Sequence, residues 1–214
     1  ESGKFQTLFE MKTTWEQDRP YIMQYQDGLL LIGTIPDYGK TGGALAIYNP
    51  SNGTHKVYRN VVEKQSIVGL AMKDGIIYGS TSQRGGLNTP SESLPTEPPK
   101  VFVWDVASET KTAEFSLDIP GLNTPMISGL TFDKDGNLWG AADGILFTLD
   151  TETNTVSKYK NIYPEISGRG MWRPVHIKFG ADGLLYTDLA GKLTVVDPAS
   201  ENWNHVTLQA DGKE

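Results

Sequence analysis

The sequence contains no cysteine among its 214 residues and only three histidines. The lack of cysteine excludes disulfides and a Cys-His catalytic pair. A chain without cysteine is compatible with both oxidising and reducing compartments, so the redox compartment is not indicated. Three histidines are too few for a histidine-rich zinc site. The sequence also has no phosphate-cradling glycine loop and no nucleophile elbow. We therefore predict neither a bound metal nor a cofactor.

Positive charge and long apolar runs are scarce as well. The chain has 19 lysines and arginines against 26 aspartates and glutamates, which gives a formal net charge of −7. Nucleic acids and anionic membranes both attract clustered cations, so neither is an expected partner. No apolar run approaches the length that spans a bilayer. The many serine, threonine, asparagine and glycine residues are typical of secreted bacterial proteins and predict an extracellular location.

What the sequence does contain is one motif repeated four times, an Asp-Gly pair between apolar strand residues. The aspartates of the motif are Asp27, Asp74, Asp135 and Asp182, and successive copies are 47, 61 and 47 residues apart. Asp-Gly supplies the positive φ angles that two-residue hairpin turns require. A strand motif that recurs at a period in the forties indicates the blades of a β-propeller.

A second landmark follows each Asp-Gly turn, namely an apolar strand that ends in an aspartate or asparagine. These residues are Asn49, Asp105, Asp150 and Asp197. Their side chains can bond the backbone two residues further on and so close a tight turn. Each repeat is therefore predicted to contain four strands, a to d. Aromatic residues at equivalent strand positions are predicted to form the core between blades: Tyr25, Tyr48, Tyr78, Trp104, Trp139, Phe147 and Tyr186.

The predicted fold is all-β, a β-propeller segment of about four four-stranded blades plus one extra N-terminal strand. We expect residues 1–17 to form the outer strand of a preceding blade, 18–65 the first blade, 66–124 the second with an insertion at 83–100, 125–172 the third and 173–214 the fourth. Because 214 residues are too few for a larger ring, we expect a segment of a longer propeller. A closed four-bladed ring and a ring completed by two chains are the alternatives. Open ends would expose unpaired edges and favour self-association.

Alternating strand direction separates the connections between strands onto two faces. The a–b and c–d connections are short turns on one face, whereas the b–c and d–a connections carry the longer loops on the other. Long loops on a rigid scaffold commonly carry binding residues, so we expect the site on this loop face, near the mouth of the central channel. The proline-rich insertion at 83–100 forms either a variable surface loop or the rim of a binding cleft.

The candidate ligand-binding residues on the loop face are chiefly arginine and tryptophan. Arginine recognises carboxylates bidentately and tryptophan stacks on the apolar faces of sugars, so a sugar acid or another anionic ligand would suit them. The candidates are Arg169, Trp172, Arg173, Arg19 and Arg84. Packing and ion pairing inside the propeller are the alternative roles for these residue types. Of the three histidines, only His176 falls near the expected mouth.

The segment from Gly129 to Gly140, GLTFDKDGNLWG, resembles the repeat of the streptogramin-lyase and gluconolactonase-like propeller superfamily. Two-component-sensor propellers carry similar repeats. The resemblance covers residues 18–214 and implies the propeller scaffold. Streptogramin-type lyases use a metal with paired channel histidines and a glutamate, and here only His176 is suitably placed. Gluconolactonase-like enzymes use acidic and amide metal ligands, and the inner-strand starts at 66–68 and 125–127 offer no acid. The resemblance therefore implies neither activity.

Two functions fit these residues. The first is a binding module for a small-molecule or glycan ligand, held by Trp172, Arg169, Arg173 and Tyr38. The second is a carbohydrate lyase, in which His176 or Tyr38 acts as the base and the arginines neutralise the substrate carboxylate. A purely structural sensor propeller is a third interpretation.

Overall fold

The computed structural model of the chain describes residues 3, 5–165 and 175–208. These residues form one short helix, α1 (Lys12–Trp15), and four antiparallel sheets of four strands each. The first sheet contains β1 (Gln17–Gln26), β2 (Leu29–Pro36), β3 (Ala44–Asn49) and β4 (Thr54–Arg59), and the second β5 (Ser66–Lys73), β6 (Ile76–Ser82), β7 (Lys100–Asp105) and β8 (Thr110–Ser116). The third contains β9 (Gly129–Phe132), β10 (Leu138–Ala142), β11 (Ile145–Asp150) and β12 (Thr155–Asn161), and the fourth β13 (Ile177–Phe179), β14 (Leu185–Thr187), β15 (Thr194–Val196) and β16 (His205–Thr207). No helix in the described ranges has both the length and the apolar character needed to cross a bilayer.

Within every sheet the strands are neighbours in chain order, so each sheet is a simple up-and-down meander. Successive sheets meet through their first strands: β5 contacts β1, β9 contacts β5, and β13 contacts β9. The four sheets therefore fan around a central axis with their first strands innermost, which is the arrangement of propeller blades. The predicted all-β propeller fold of four four-stranded blades is confirmed.

The core lies between successive sheets, where side chains of facing strands pack together. Leu31, Leu45, Ile67, Ile77 and Phe102 fill the space between the first and second sheets. Tyr78, Val103, Ile127, Leu138 and Phe147 pack between the second and third, and Trp139, Leu146, Ile177, Leu185 and Val196 between the third and fourth. Each such side chain contributes about 1.5–3 kcal/mol when it is fully buried. The apolar segments of the sequence are therefore buried in contacts between neighbouring blades.

Two glycines leave room for core rings. Gly79 in β6 and Gly140 in β10 each lie against a phenylalanine of the following strand. A Cβ atom at these positions would lie 2.0 Å from the Phe102 ring and 2.1 Å from the Phe147 ring. Since no side chain tolerates such a contact, packing alone requires glycine at both positions.

The prediction of an aromatic core is correct for rings that lie between two sheets. Tyr78, Trp104, Trp139 and Phe147 are buried between two sheets. Tyr48 and Tyr186 are half-buried and lie on the outward faces of the first and last sheets, so the prediction of a place between blades is wrong for them. Tyr25 is 66% exposed, so the prediction is wrong there. Tyr25 lies opposite Leu30 on the face of the first sheet that points away from the second sheet, and no other sheet of the described residues covers it.

The four Asp-Gly turns are of two kinds. The pairs at 27–28 and 74–75 join their strands directly and have positive φ at the aspartate (49° and 52°) and at the glycine (80° and 77°). In the third and fourth repeats, residues 133–137 and 180–184 lie between the strands, so the predicted two-residue turn is wrong there. The Asp133 side chain closes the longer third turn by accepting two backbone N–H bonds, at 2.9 and 2.8 Å. A side-chain acceptor thus adds to the backbone hydrogen bond from Asp133 N–H to the Asn137 carbonyl, which joins the strand ends at 3.0 Å.

The prediction of an extra N-terminal strand is also wrong. Residues 5–11 form no strand, and α1 follows them directly. Met11 is buried, and with Phe9 and Trp15 it packs against Ile32 and Ala46 on the face of the first sheet that points away from the second. The segment is therefore held by the side chains that it places on this face, whereas a strand would be held by backbone pairing.

Candidate functional site

Most of the longer connections lie on one face, as the sequence predicted, but the connection 197–204 between β15 and β16 lies on the turn face. Residues 37–43, 60–65, 83–99 and 117–128 connect strands on the loop face, and 162–176 form the corresponding, partly described connection between the third and fourth sheets. In the third sheet, only residues 143–144 join β10 to β11. The loop face is therefore built mainly from the first two blades and from the connection into the fourth.

Two buried glutamines, which the sequence analysis missed, fix the loop-face ends of the first two blades. Gln17 Oε1 accepts a hydrogen bond from Thr34 Oγ1, and Gln17 Nε2 donates to the carbonyl of Gly42. Gln65 and Thr81 repeat this pair in the second blade. The signal in the sequence was a glutamine at the start of the first strand with a threonine near the end of the second, in both repeats.

The insertion at 83–100 is tied to the body of the molecule. Gln65 Nε2 donates to the carbonyls of Glu97 and Pro98, at 3.3 and 3.0 Å. Two backbone hydrogen bonds, at 2.8 and 3.0 Å, join the insertion to the 37–43 loop of the first blade. The connected loops form one wall beside the first two blades.

His176 pairs with an aspartate of the fourth blade. The backbone N–H of His176 donates to Asp188 Oδ1 at 2.5 Å, and His176 Nδ1 lies 3.3 Å from Asp188 Oδ2. The imidazole remains 63% exposed, so its other ring nitrogen can reach a ligand. The sequence predicted His176 and missed Asp188, although an acid directly after strand b on the loop face was a usable signal.

Tyr21 lies in an apolar cluster shared by three blades. Its ring packs with Ile35, Val68 and Met126, which come from the first, second and third blades. Burial, and then the negative charge of Asp188 in the fourth blade, raise the pKa of Tyr21 to about 12. The hydroxyl is therefore neutral at physiological pH, and side chains of the first three blades pack around this tyrosine.

Arg19 and Tyr38 are brought together by the first blade. The Arg19 guanidinium lies 5.4 Å from the centre of the Tyr38 ring, within the range of a cation–π contact. It also lies 3.6 Å from Asp18, a contact too long for a strong ion pair. Tyr38 is 52% exposed, which leaves ring surface free for a ligand.

Arg84 stands at the start of the insertion. Its carbonyl accepts a hydrogen bond from Ser66 Oγ at 2.6 Å, which fixes its backbone beside the inner strand of the second blade. Its Nε is buried and has no hydrogen-bond partner, and within the described ranges its guanidinium forms no ion pair. The positive charge of Arg84 is therefore not neutralised by the described carboxylates.

Three of the predicted ligand-binding residues, Arg169, Trp172 and Arg173, lie outside the described residues. His55 stacks on Phe9 at 4.3 Å, and His205 lies in the outer strand β16 against Tyr163. Within the described ranges, no group of three or more histidines and acids is placed to hold a metal ion.

Two cavities open on the opposite, turn face, one of about 350 Å³ at the channel end and one of about 580 Å³ between the third and fourth blades. Their lining includes the carboxylates of Asp133 and Asp182. Asp133 already accepts a bond from Trp139 Nε1 at 2.9 Å, and Asp182 one from Tyr186 Oη at 2.7 Å. These carboxylates serve the structure of the turns, so the loop face remains the candidate site.

No family model matches the sequence, and no characterised protein matches it in sequence. A luciferin-regenerating enzyme is similar in structure, with a TM-score of 0.57 and 16% identity over 88% of this chain and 57% of that protein. A Bacteroides caccae protein of unknown function matches with a TM-score of 0.52 and 15% identity, over 85% of this chain and 58% of that one. PorZ, an essential surface component of the type-IX secretion system of Porphyromonas gingivalis, matches with a TM-score of 0.57 and 12% identity, over 88% of this chain and 27% of PorZ.

The chain thus spans 57% and 58% of the length of the first two of these proteins. An enzyme and a secretion component share the fold, and a fold shared at such low identity does not transfer an activity. The chain has a β-propeller fold similar to that of these proteins.

Proposed function

We propose that this chain is a ligand-binding β-propeller module whose ligand is a sugar acid or an acidic glycan held at the loop-face mouth. The observation that carries the proposal is that the Arg19–Tyr38 pair and the His176–Asp188 pair both lie on the loop face of the propeller.

Each group has a chemical role in such binding. The Arg19 guanidinium can pair with a carboxylate, and the exposed Tyr38 ring can cover the C–H face of a pyranose. Asp188 and His176 supply an acceptor and a second polar group for sugar hydroxyls. We include Arg84 as a further cation, and the predicted Arg169, Trp172 and Arg173 as additional contacts. We also propose an extracellular location, on the composition of the chain.

A glycan array followed by calorimetry tests the proposal. The array should identify an acidic saccharide, and Tyr38→Ala should weaken its binding about tenfold, the loss expected from one stacking contact of about 1–1.5 kcal/mol. Tyr159→Ala is the matched control, because Tyr159 is similarly exposed but lies on the outer strand β12. An array without any ligand, or equal loss in both variants, would overturn the proposal.

A carbohydrate lyase is the second candidate, and the His176–Asp188 contact favours it. In this reaction, neutral His176 takes the proton beside the substrate carboxylate, the C–O bond to the leaving sugar breaks, and a C=C bond forms. The leaving oxygen is protonated by a second acid or by water, and a cation such as Arg19 stabilises the carboxylate as charge develops on it.

The absorbance of unsaturated uronate products measures this activity directly. A lyase should release such products from a panel of acidic polysaccharides, and His176→Ala should abolish the release. His205→Ala, in the outer strand, should retain it. A panel that yields no unsaturated product would refute the lyase activity and would leave the proposed binding function unaffected.

A further inference from the structure

Two neighbouring junctions between blades contain the same pair of aromatic rings. Between the second and third blades, Tyr78 and Phe132 meet edge to face, with ring centres 5.8 Å apart and ring planes at 78°. Between the third and fourth blades, Trp139 and Phe179 meet in the same way, at 5.8 Å and 77°. Each phenylalanine precedes the Asp-Gly pair of its blade by the same number of residues, and the tyrosine and the tryptophan follow theirs equally. The two junctions can therefore be compared directly.

In the first of these junctions, the chain places its own cation over the phenylalanine. Lys73, the last residue of β5, reaches across to the third blade, and its Nζ lies 5.9 Å from the centre of the Phe132 ring. This distance is within the range of a cation–π contact. The same Nζ fills the space beside Gly136, where a Cβ atom would collide with it. An ammonium group thus fits between the face of the phenylalanine and the Asp-Gly turn of the same blade.

In the second junction, the equivalent lysine is turned away. Lys134 also precedes the Asp-Gly pair of its blade, but it lies within the turn 133–137 and not at the end of a strand. Its Nζ pairs with the Asp135 carboxylate, at 2.8 and 2.7 Å, and its side chain is 80% exposed. Beside Gly183, in the turn of the fourth blade, no atom of the described residues lies within 4 Å of the position of a Cβ atom. Those residues place no cation over the Phe179 ring either.

The cavity of about 580 Å³ on the turn face lies at this second junction. Trp139 and Phe179 line it, together with the apolar side chains of Leu184 and Pro198. Its volume is within the range of small-molecule sites. Four aspartates and one lysine also line the cavity: Asp133, Asp135, Asp182, Asp197 and Lys134. The excess of negative charge favours a positively charged occupant.

We propose that this cavity binds a primary alkylammonium ligand, whose charged group lies between the face of Phe179 and Gly183. Lys73 holds its own ammonium group in the equivalent place one junction earlier. The alkyl chain of the ligand packs on the apolar wall, and the aspartates attract its charge while they keep the hydrogen bonds that fix the turns. The site lies on the turn face, so it is separate from the loop-face site and does not depend on the function proposed there.

A nuclear magnetic resonance titration at neutral pH and low salt tests the inference, with n-pentylamine as the probe and n-pentanol as its neutral analogue. The amine should shift the amide signal of Gly183 and the indole N–H signal of Trp139 in a saturable way. The alcohol should bind about tenfold more weakly, because it lacks the cation–π contact and the attraction of the carboxylates. Phe179→Leu should weaken binding of the amine about three- to tenfold. Phe132→Leu is the matched control, since it changes the equivalent ring under Lys73 and should leave binding of the amine unchanged.

The wild-type protein alone can overturn the inference. Equal affinities for the amine and the alcohol, or amine-induced shifts that spare Trp139 and Gly183, would exclude this cation site. That comparison decides the matter even where Phe179→Leu fails to fold. Equal weakening by Phe179→Leu and Phe132→Leu would also overturn the inference, because the effect would then not belong to the ring in the cavity. None of these results bears on the ligand at the loop face.

Discussion

At the scale of single residues, the Asp133 carboxylate shows most directly how turn chemistry and core packing are joined. Its Oδ1 accepts hydrogen bonds from the backbone N–H groups of Asp135 and Asn137. Its Oδ2 accepts hydrogen bonds from Asn137 Nδ2 and Trp139 Nε1. The turn is thereby fixed to a tryptophan that lies in the core between the third and fourth blades. One side chain therefore sets both the path of the turn and the orientation of a core ring.

Asp133→Ala should lower the free energy of unfolding by about 2 kcal/mol, because it leaves the indole N–H and the turn amides without their charged acceptor. Urea denaturation followed by tryptophan fluorescence measures the loss. Asp135→Ala is the matched control in the same turn: the Asp135 side chain is exposed and pairs with the exposed Lys134, so its removal should cost less than about 0.5 kcal/mol. Equal losses in the two variants would contradict the role of Asp133.

The same carboxylate should make stability depend on pH. Burial pushes the pKa of Asp133 up, but the hydrogen bonds from Asn137 and Trp139 outweigh it, so the pKa lies below the ordinary value of 3.8. The stabilisation is therefore complete above the pKa of the unfolded chain and is lost as pH falls through the lower, folded value. The difference in unfolding free energy between wild type and Asp133→Asn should shrink from pH 6 to pH 3. A difference that stays constant or grows toward pH 3 would refute this.

At the scale of elements, one buried side chain holds the C-terminal end of the insertion between β6 and β7. Gln65 joins Thr81 at the end of β6 to the carbonyls of Glu97 and Pro98. A proline-rich segment has few backbone donors of its own, so a side-chain donor from the neighbouring strand takes their place. The insertion thus depends on the second blade for its position.

Gln65→Ala should release the end of the insertion and lower the free energy of unfolding by about 1–2 kcal/mol, since it removes a buried side chain that is hydrogen-bonded to Thr81, Glu97 and Pro98. Hydrogen exchange measured by mass spectrometry should rise in peptides that cover 83–100 and stay unchanged in the third blade. Gln26→Ala, at the exposed end of β1, serves as the control and should alter neither quantity. Unchanged exchange in the insertion would show that other contacts hold it.

At the scale of the whole molecule, the first and last sheets each have a face that no other described sheet covers. On the first sheet, the segment around Met11 covers part of this face, while Met23 and Tyr25 stay exposed. On the last sheet, Leu193 and Val206 are exposed. The two ends of the blade array therefore carry the exposed apolar side chains expected of unpaired blades.

Met11→Ala should lower the free energy of unfolding by about 2–3 kcal/mol, because Met11 is 8% exposed and its removal opens a cavity over Ile32 and Ala46. Met23→Ala removes the same kind of side chain from β1 itself, where it is 60% exposed, so the loss should stay below about 0.5 kcal/mol. Chemical denaturation of both variants checks the prediction. Similar losses would contradict the covering role of the N-terminal segment.

Self-association through the open faces stays a prediction. Sedimentation velocity over a range of concentrations should reveal reversible oligomers of the wild type. Val206→Lys places a charge on the exposed face of the last sheet and should shift the equilibrium toward the monomer. Lys158→Ala, on the outer strand of the third sheet, is a surface control that should leave the equilibrium unchanged. A wild-type protein that is monomeric at all concentrations would refute the prediction.

The candidate site was predictable only in part. His176 and Tyr38 could be placed on the loop face because strand alternation decides which connections share a face. Tyr21 and Asp188 could not, because nothing local in the sequence relates two residues in the first and fourth repeats. The buried Gln17–Thr34 pair was missed for a similar reason, since its bond joins two strands and leaves no period along the chain.

The sequence by itself determined the number of blades, the strands within them and the face that carries the loops. Turn residues and the alternation of apolar and polar residues act over a few positions. The strands and turns of each repeat are therefore determined by the sequence of that repeat. Only the tertiary structure decided which residues line the channel mouth, which contacts hold the insertion in place and how the N-terminal segment folds. These depend on how blades are set around the axis, which brings together side chains that are distant in the chain and contact each other only after the sheets have packed.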